Sequence, residues 1–151
     1  MSQKDDKLQY LLLAFSIIGL AAMLYLILSF SANVISQNSC TITGSPLNCG
    51  AVVTSQYSKI GGVDLYYYGL AFFIVTAVLS YLYIFVRKRR ILLLKLLMLV
   101  SGLAAILVAY LVYTELFVLH YICILCTTGH ISILVILFVS IIEYRRIKSA
   151  H

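Results

Sequence analysis

Residues 91–126 read ILLLKLLMLVSGLAAILVAYLVYTELFVLHYICILC. From Ile91 to Leu119 the only charged side chains are Lys95 and Glu115. A helix needs about 20 apolar residues to cross the hydrocarbon core. This run is longer, which predicts a membrane helix that tilts or projects. The pair Cys123 and Cys126 then sits at the opening of a second apolar run, Ile122 to Ile142.

Working outward, two more runs have the required length, Leu8 to Phe30 and Leu65 to Val86. The fold predicted for residues 1–151 is therefore a single all-α membrane domain, a four-transmembrane-helix bundle. Its helices cover about 8–30, 65–86, 91–119 and 122–142, with a loop at about 31–64. Composition agrees: 63% of residues are hydrophobic and 11% charged, against about half and about a quarter in soluble domains. The first run is longer than a signal-peptide core and no A-x-A site follows, so it reads as a retained helix.

Charge placement gives the orientation. Lys4, Lys7, Arg87, Lys88, Arg89, Arg90, Lys95, Arg145, Arg146 and Lys148 fall on one side of the predicted spans, and Lys59 alone on the other. Basic residues favour the cytoplasmic side, so both termini are expected there, in a multi-pass protein of the cell membrane. The net charge of +6 is spent at helix ends. No folded polar face remains to bind nucleic acid.

The loop then lies on the outer side. It carries Cys40, a turn-like Gly44-Ser45-Pro46 and Cys49, followed by Ala51 to Ile60, where apolar and polar residues mix. That mixture predicts a short amphipathic helix, ended by Gly61-Gly62. Cys123 and Cys126 start the fourth helix on the same outer side, so all four cysteines gather at one face. Residues three apart share a helix face, close enough for two sulfurs to bond. The helix start favours thiolate over thiol. On this reading Cys123 faces the aqueous loop and Cys126 the membrane interior, a two-way relay built on thiol–disulfide exchange.

Two alternatives stand beside the relay. One is a non-enzymatic membrane scaffold stapled by static disulfides. The other is a zinc site drawing on His120 and His130, although the Cys40 to Cys49 gap is wider than the short knuckles zinc favours. Haem attachment would need a His directly after Cys126, where Thr127 stands. Taken alone, His120 and His130 read as packing residues and the tyrosines as interfacial belts, with Tyr68 a candidate pocket wall. Glu143 reads as a solvated helix end. Glu115, an ionisable group inside a span, is a candidate for moving protons.

The sequence resembles the vitamin K epoxide reductase family in its small prokaryotic form. The resemblance rests on Cys40 and Cys49, on Cys49-Gly-Ala-Val-Val-Thr-Ser55, on Gly61-Gly62, on Tyr68-Gly69-Leu70, and on the run from Tyr110 through Cys123-Ile-Leu-Cys126-Thr-Thr. The other bacterial quinone-linked oxidase carries its C-x-x-C in the first outer loop, the reverse of the order here. The resemblance implies that Cys123 and Cys126 are the active-site pair, with Cys126 next to a quinone of ubiquinone or menaquinone type. It implies that Cys49 exchanges with Cys123 and that Cys40 takes electrons from a thioredoxin-like partner on the outer side. No thioredoxin-like domain follows in the sequence, so that partner is expected to be a separate protein. The positions assigned to the quinone pocket are Val53, Ser55, Leu65, Tyr68, Phe72, Glu115 and His130. Animal members carry an Asn at the position of Leu65 and a Tyr at that of His130. Leu65 cannot donate a hydrogen bond, whereas His130 can.

Overall fold

The computed structural model describes residues 3–31, 47–86 and 89–149. Cys40, Arg87 and Lys88 lie outside the described residues. In chain order the elements are α1 (Gln3–Ser31), α2 (Cys49–Val53), a 3₁₀ turn (Gln56–Ser58), β1 (Lys59–Ile60), β2 (Val63–Asp64), α3 (Leu65–Phe85), α4 (Arg90–Tyr113), a π-helical turn (Thr114–Leu119) and α5 (Ile124–Ser149).

Among the described residues, four helical stretches are long and apolar enough to span a membrane: Lys7–Ser29, Leu65–Phe85, Arg90–Leu119 and Ile124–Ser149. In hydrocarbon every backbone N–H and C=O must be satisfied within the segment, and a helix does this. α1 packs against α3 and α5, and α4 against the same two, so the helices close into a ring. Leu99, Leu103 and Ile106 of α4 and Ile131, Leu134 and Phe138 of α5 stay exposed. On a soluble protein such a surface would be an association hazard. Here it is the lipid-facing side.

The core is apolar, with Leu12, Phe73, Leu94, Leu97 and Ile136 fully buried. Small residues let the helices approach. Buried Ser16 donates to Leu12 O at 2.9 Å, Thr76 to Phe73 O at 3.2 Å and Ser140 to Ile136 O at 2.7 Å. Each hydroxyl is thereby satisfied by its own helix. The closest approach is at Gly19, where a Cβ would stand 2.1 Å from Cε1 of Phe73.

The segment before α3 departs from the single amphipathic helix expected over 51–60. Asn48 caps α2 by accepting the Ala51 N–H at 3.0 Å, so the helix begins earlier, at Cys49. It ends at Val53 because hydroxyls take its last carbonyls. Thr54 donates to Gly50 O at 2.8 Å and Ser55 to Val52 O at 2.8 Å. Gly61 and Gly62, at φ 62° and 83°, make the two-residue turn of a hairpin in which Ile60 pairs with Val63. Both central residues of a type I′ turn need positive φ, which glycine supplies without strain.

Two boundaries also move. α5 starts at Ile124 rather than Ile122 and runs on to Ser149. That extension corrects the reading of Glu143 as a solvated end. It is 2% exposed and accepts the Tyr83 hydroxyl at 2.7 Å. The Arg90 guanidinium lies 5.4 Å from the centre of the same ring. The last turn of α3 and the first turn of α4 therefore enclose it.

Gly19→Ala is expected to cost about 1–3 kcal/mol of stability through overpacking against Phe73, read as a lower unfolding midpoint in detergent. In a Phe73→Ala background, where the ring is gone, the same substitution should cost close to nothing. Equal costs in both backgrounds would show that this contact does not limit the approach of α1 to α3.

Candidate functional site: three cysteines beside an apolar cavity

Leu47 and Ile122 form an isolated parallel bridge, and the Asn48 N–H donates to Ile122 O at 3.1 Å. Cys49 and Cys123 follow directly on these two strands. The carbonyl of Cys123 accepts the Thr127 N–H at 2.8 Å, and its sulfur accepts the Cys126 N–H at 3.2 Å. Cys123 is therefore the N-cap of α5, with sulfur in the role that Ser or Asp oxygen usually plays. The side chains of both Cys49 and Cys126 make hydrogen-bonding contact with that sulfur.

Three of the four cysteines thus meet at one point. Cys49 and Cys123 are 0% exposed and pack with Leu26, Val52 and Val53, with Cys126 against the same cluster. This corrects the expectation that Cys123 faces the aqueous loop, because α2 covers it. It also changes the thiolate argument. The Cys126 N–H does favour a Cys123 thiolate, as a helix start should. The hydrogen bond shared with the Cys126 thiol and the burial both act the other way and prevail, pushing the Cys123 thiol well above the ordinary range.

Beside Cys126 opens a cavity of about 490 Å³. Val100, Leu103, Leu107, Leu111 and Glu115 all line it. Their spacing of three or four residues puts them on one face of α4 and its π turn, a wall about 22 Å long at 1.5 Å per residue. The walls are nearly all apolar. Its few polar side chains are Glu115, His130, Ser58, Tyr66, Tyr68 and the Cys126 thiol.

Of the positions assigned to a pocket by sequence, Val53, Leu65, Tyr68, Phe72, Glu115 and His130 line this cavity. Ser55 does not, since its hydroxyl is turned back onto Val52 O. Ser58 takes its place, with its hydroxyl donating to Val53 O at 2.5 Å and to Ser55 O at 2.7 Å. Reading 51–60 as one helix hid Ser58, because only the turn after Val53 brings it inward. Tyr66 was also missed, hidden in a run of three tyrosines that reads as a belt. It lines the cavity and donates its hydroxyl to Asp64 at 3.0 Å.

Glu115 is 5% exposed and sits in the π turn. Such turns shift the helix register and cluster at functional sites. Its carboxylate accepts the backbone N–H of Cys123, joining the end of one span to the cap of the next. His120, with φ 57°, ends the turn in a left-handed conformation, away from the cavity lining. Among the described residues no group of three or more His, Cys, Asp or Glu has an arrangement suited to a metal ion.

Fold and site together define a multi-pass membrane protein with three cysteines gathered beside an apolar cavity. The model of the Vitamin K epoxide reductase family matches residues 10–141, and the chain belongs to that family, a family of membrane oxidoreductases. No curated protein matches the chain.

In the reduced protein, Cys123 should react slowly with a small methanethiosulfonate at pH 7, because little thiolate is present. Its rate should keep climbing past the usual thiol range, near pH 8.5. Cys126→Ala removes the largest upward influence and keeps the backbone N–H, so the profile should move to lower pH. Mass-shift kinetics check this. A Cys123 profile that levels off near pH 8.5 with Cys126 present would contradict it.

Proposed function

We propose that the protein oxidises the thiols of a thioredoxin-like protein on the outer side of the cell membrane. The electrons go to a quinone of ubiquinone or menaquinone type, which supports disulfide formation in exported proteins. The observation that carries this reading is the meeting of Cys49, Cys123 and Cys126, the last of which lines a long apolar cavity. The ten-to-one placement of Lys and Arg supports an outer active site with both termini cytoplasmic.

The exchange balances as follows. The partner dithiol reduces a Cys40–Cys49 disulfide and becomes a disulfide itself. The Cys49 thiolate then attacks Cys123 within a Cys123–Cys126 disulfide. A Cys49–Cys123 bond forms and Cys126 leaves as thiolate. Cys40 next attacks Cys49, restoring the loop disulfide and releasing Cys123. One disulfide has formed in the partner, and Cys123 and Cys126 hold the two electrons as a dithiol.

The lining suits a quinone: it is nearly all apolar, and Cys126, Glu115 and His130 are among its few polar side chains. Leu65, Phe72 and the α4 wall would hold the ring and tail, and His130 would donate to a ring oxygen, while the Tyr68 hydroxyl donates to Ile60 O at 3.3 Å and its ring would serve as wall. A bound quinone would supply the two-electron acceptor that restores the Cys123–Cys126 disulfide. Glu115 is placed to take a proton released beside Cys123 and hold it in the cavity. The apolar walls keep water from the dithiol. Leu65 offers no donor where the animal members have one, so epoxide reduction forms no part of this reading.

The test is anaerobic reduction of a short-chain quinone, with a reduced thioredoxin-like protein as donor. Glu115→Gln should lower kcat by roughly 10- to 100-fold and leave KM within about twofold. Quenched samples should show Cys123 and Cys126 cycling between dithiol and disulfide. If that pair stays in one redox state through turnover, the reading fails.

A further inference from the structure

We infer that Asn48 is a positioning residue for thiol–disulfide exchange between Cys49 and Cys123, an inference that rests on the exchange proposed above. One residue carries two tethers that act on the same pair of sulfurs. Its main-chain N–H donates to Ile122 O at 3.1 Å, fixing it against the residue before Cys123. Its side-chain oxygen accepts the Ala51 N–H at 3.0 Å, fixing the first turn of α2, whose first residue is Cys49.

The second tether matters because α2 is five residues long. A helix this short cannot hold itself together, since nucleation costs more than so few bonds return. Its start depends on the cap. With the cap lost, Cys49 leaves the first helical position and its sulfur is no longer aimed at Cys123. Disulfide bonding tolerates little of this, because it needs a Cα separation of about 4.4–6.8 Å and a torsion near 90°. The main-chain tether alone keeps the strands adjacent but leaves the Cys49 side chain free to turn. Asn48 therefore raises the effective concentration of one sulfur at the other without touching either.

The chemistry predicts a pattern of rescue. Asp and Ser cap the same N–H as well as Asn does, and Ala does not. The experiment uses the full chain carrying Cys40→Ala and Cys126→Ala, so that Cys49 and Cys123 are the remaining pair. It is equilibrated in detergent with glutathione and glutathione disulfide. The dithiol and one glutathione disulfide give one protein disulfide and two glutathiones, and acid quenching with mass tagging reads the ratio. Asn48→Ala should lower the effective concentration of the Cys49–Cys123 bond by about tenfold. Asn48→Asp and Asn48→Ser should stay within about threefold of the parent.

A second background, Cys40→Ala with Cys49→Ala, isolates Cys123 and Cys126. There Asn48→Ala should change the effective concentration by less than about twofold. An equal fall in both backgrounds would mean general loss of structure and would overturn the positioning role. So would an unchanged Cys49–Cys123 value in Asn48→Ala. If the parent forms no Cys49–Cys123 bond at any glutathione ratio, the exchange in the proposed function fails, and Asn48's part in it fails too.

Discussion

One main-chain hydrogen bond, from the Asn48 N–H to Ile122 O, joins two segments that lie far apart in the chain. Everything at the cysteine end depends on that pairing. Each strand leads straight into a helix, and each helix begins beside a cysteine. Without the pairing, Cys49 would belong to a tethered loop with many accessible positions, and Cys123 would cap α5 alone. With it, Cys49 and Cys126 both reach the Cys123 sulfur. The pairing is stable because the bundle has already set the distance: α2 rests on α5 and on the π turn at the end of α4.

The bundle also decides what else can reach the sulfurs. Leu26, Val52 and Val53 close around Cys49 and Cys123, and the cavity beside Cys126 is walled by apolar side chains. Water is thereby excluded where a thiol pair would be exposed to side reactions. The same dryness makes each polar contact there count for more. The bond from the Cys123 N–H to Glu115 is one such contact. It satisfies a donor that a helix start leaves open, and it holds close to the pair the only acid that lines the cavity among the described residues.

Much of this was legible in the sequence, and the failures share a cause. The spans could be read because apolar runs of about 20 residues have few other uses. Cys123 and Cys126 could be brought to the end where Cys49 lies because the spans fixed which end each run begins on. Ser55 and Ser58 were confused, because which hydroxyl turns inward depends on where α2 stops. That in turn depends on Thr54 and Ser55 taking carbonyls of their own helix. Glu143 was misplaced because its partner, Tyr83, comes from another helix. Cys123 was assigned a thiolate from the helix start alone. The opposing influence, a second buried sulfur in contact, exists only after folding. In each case a local rule was sound and a tertiary neighbour outweighed it.

The raised Cys123 thiol bears on one step of the proposed exchange, the release of Cys123. In thiol–disulfide exchange the sulfur whose thiolate is better tolerated leaves more readily. Cys123 is the sulfur for which a free thiolate is disfavoured, by its contact with Cys126 and by burial. When Cys40 releases it from Cys49, it is therefore best released as a thiol, taking up a proton as the bond breaks. The N-cap contact from the Cys126 N–H holds it at the meeting point of its two partners. Cys123 is then a fixed pivot. Cys49 approaches it from the α2 side, held by Asn48, and Cys126 faces the cavity. A relay between water and lipid needs such a pivot, since the two outer sulfurs work in different media and only the middle one must bond to both.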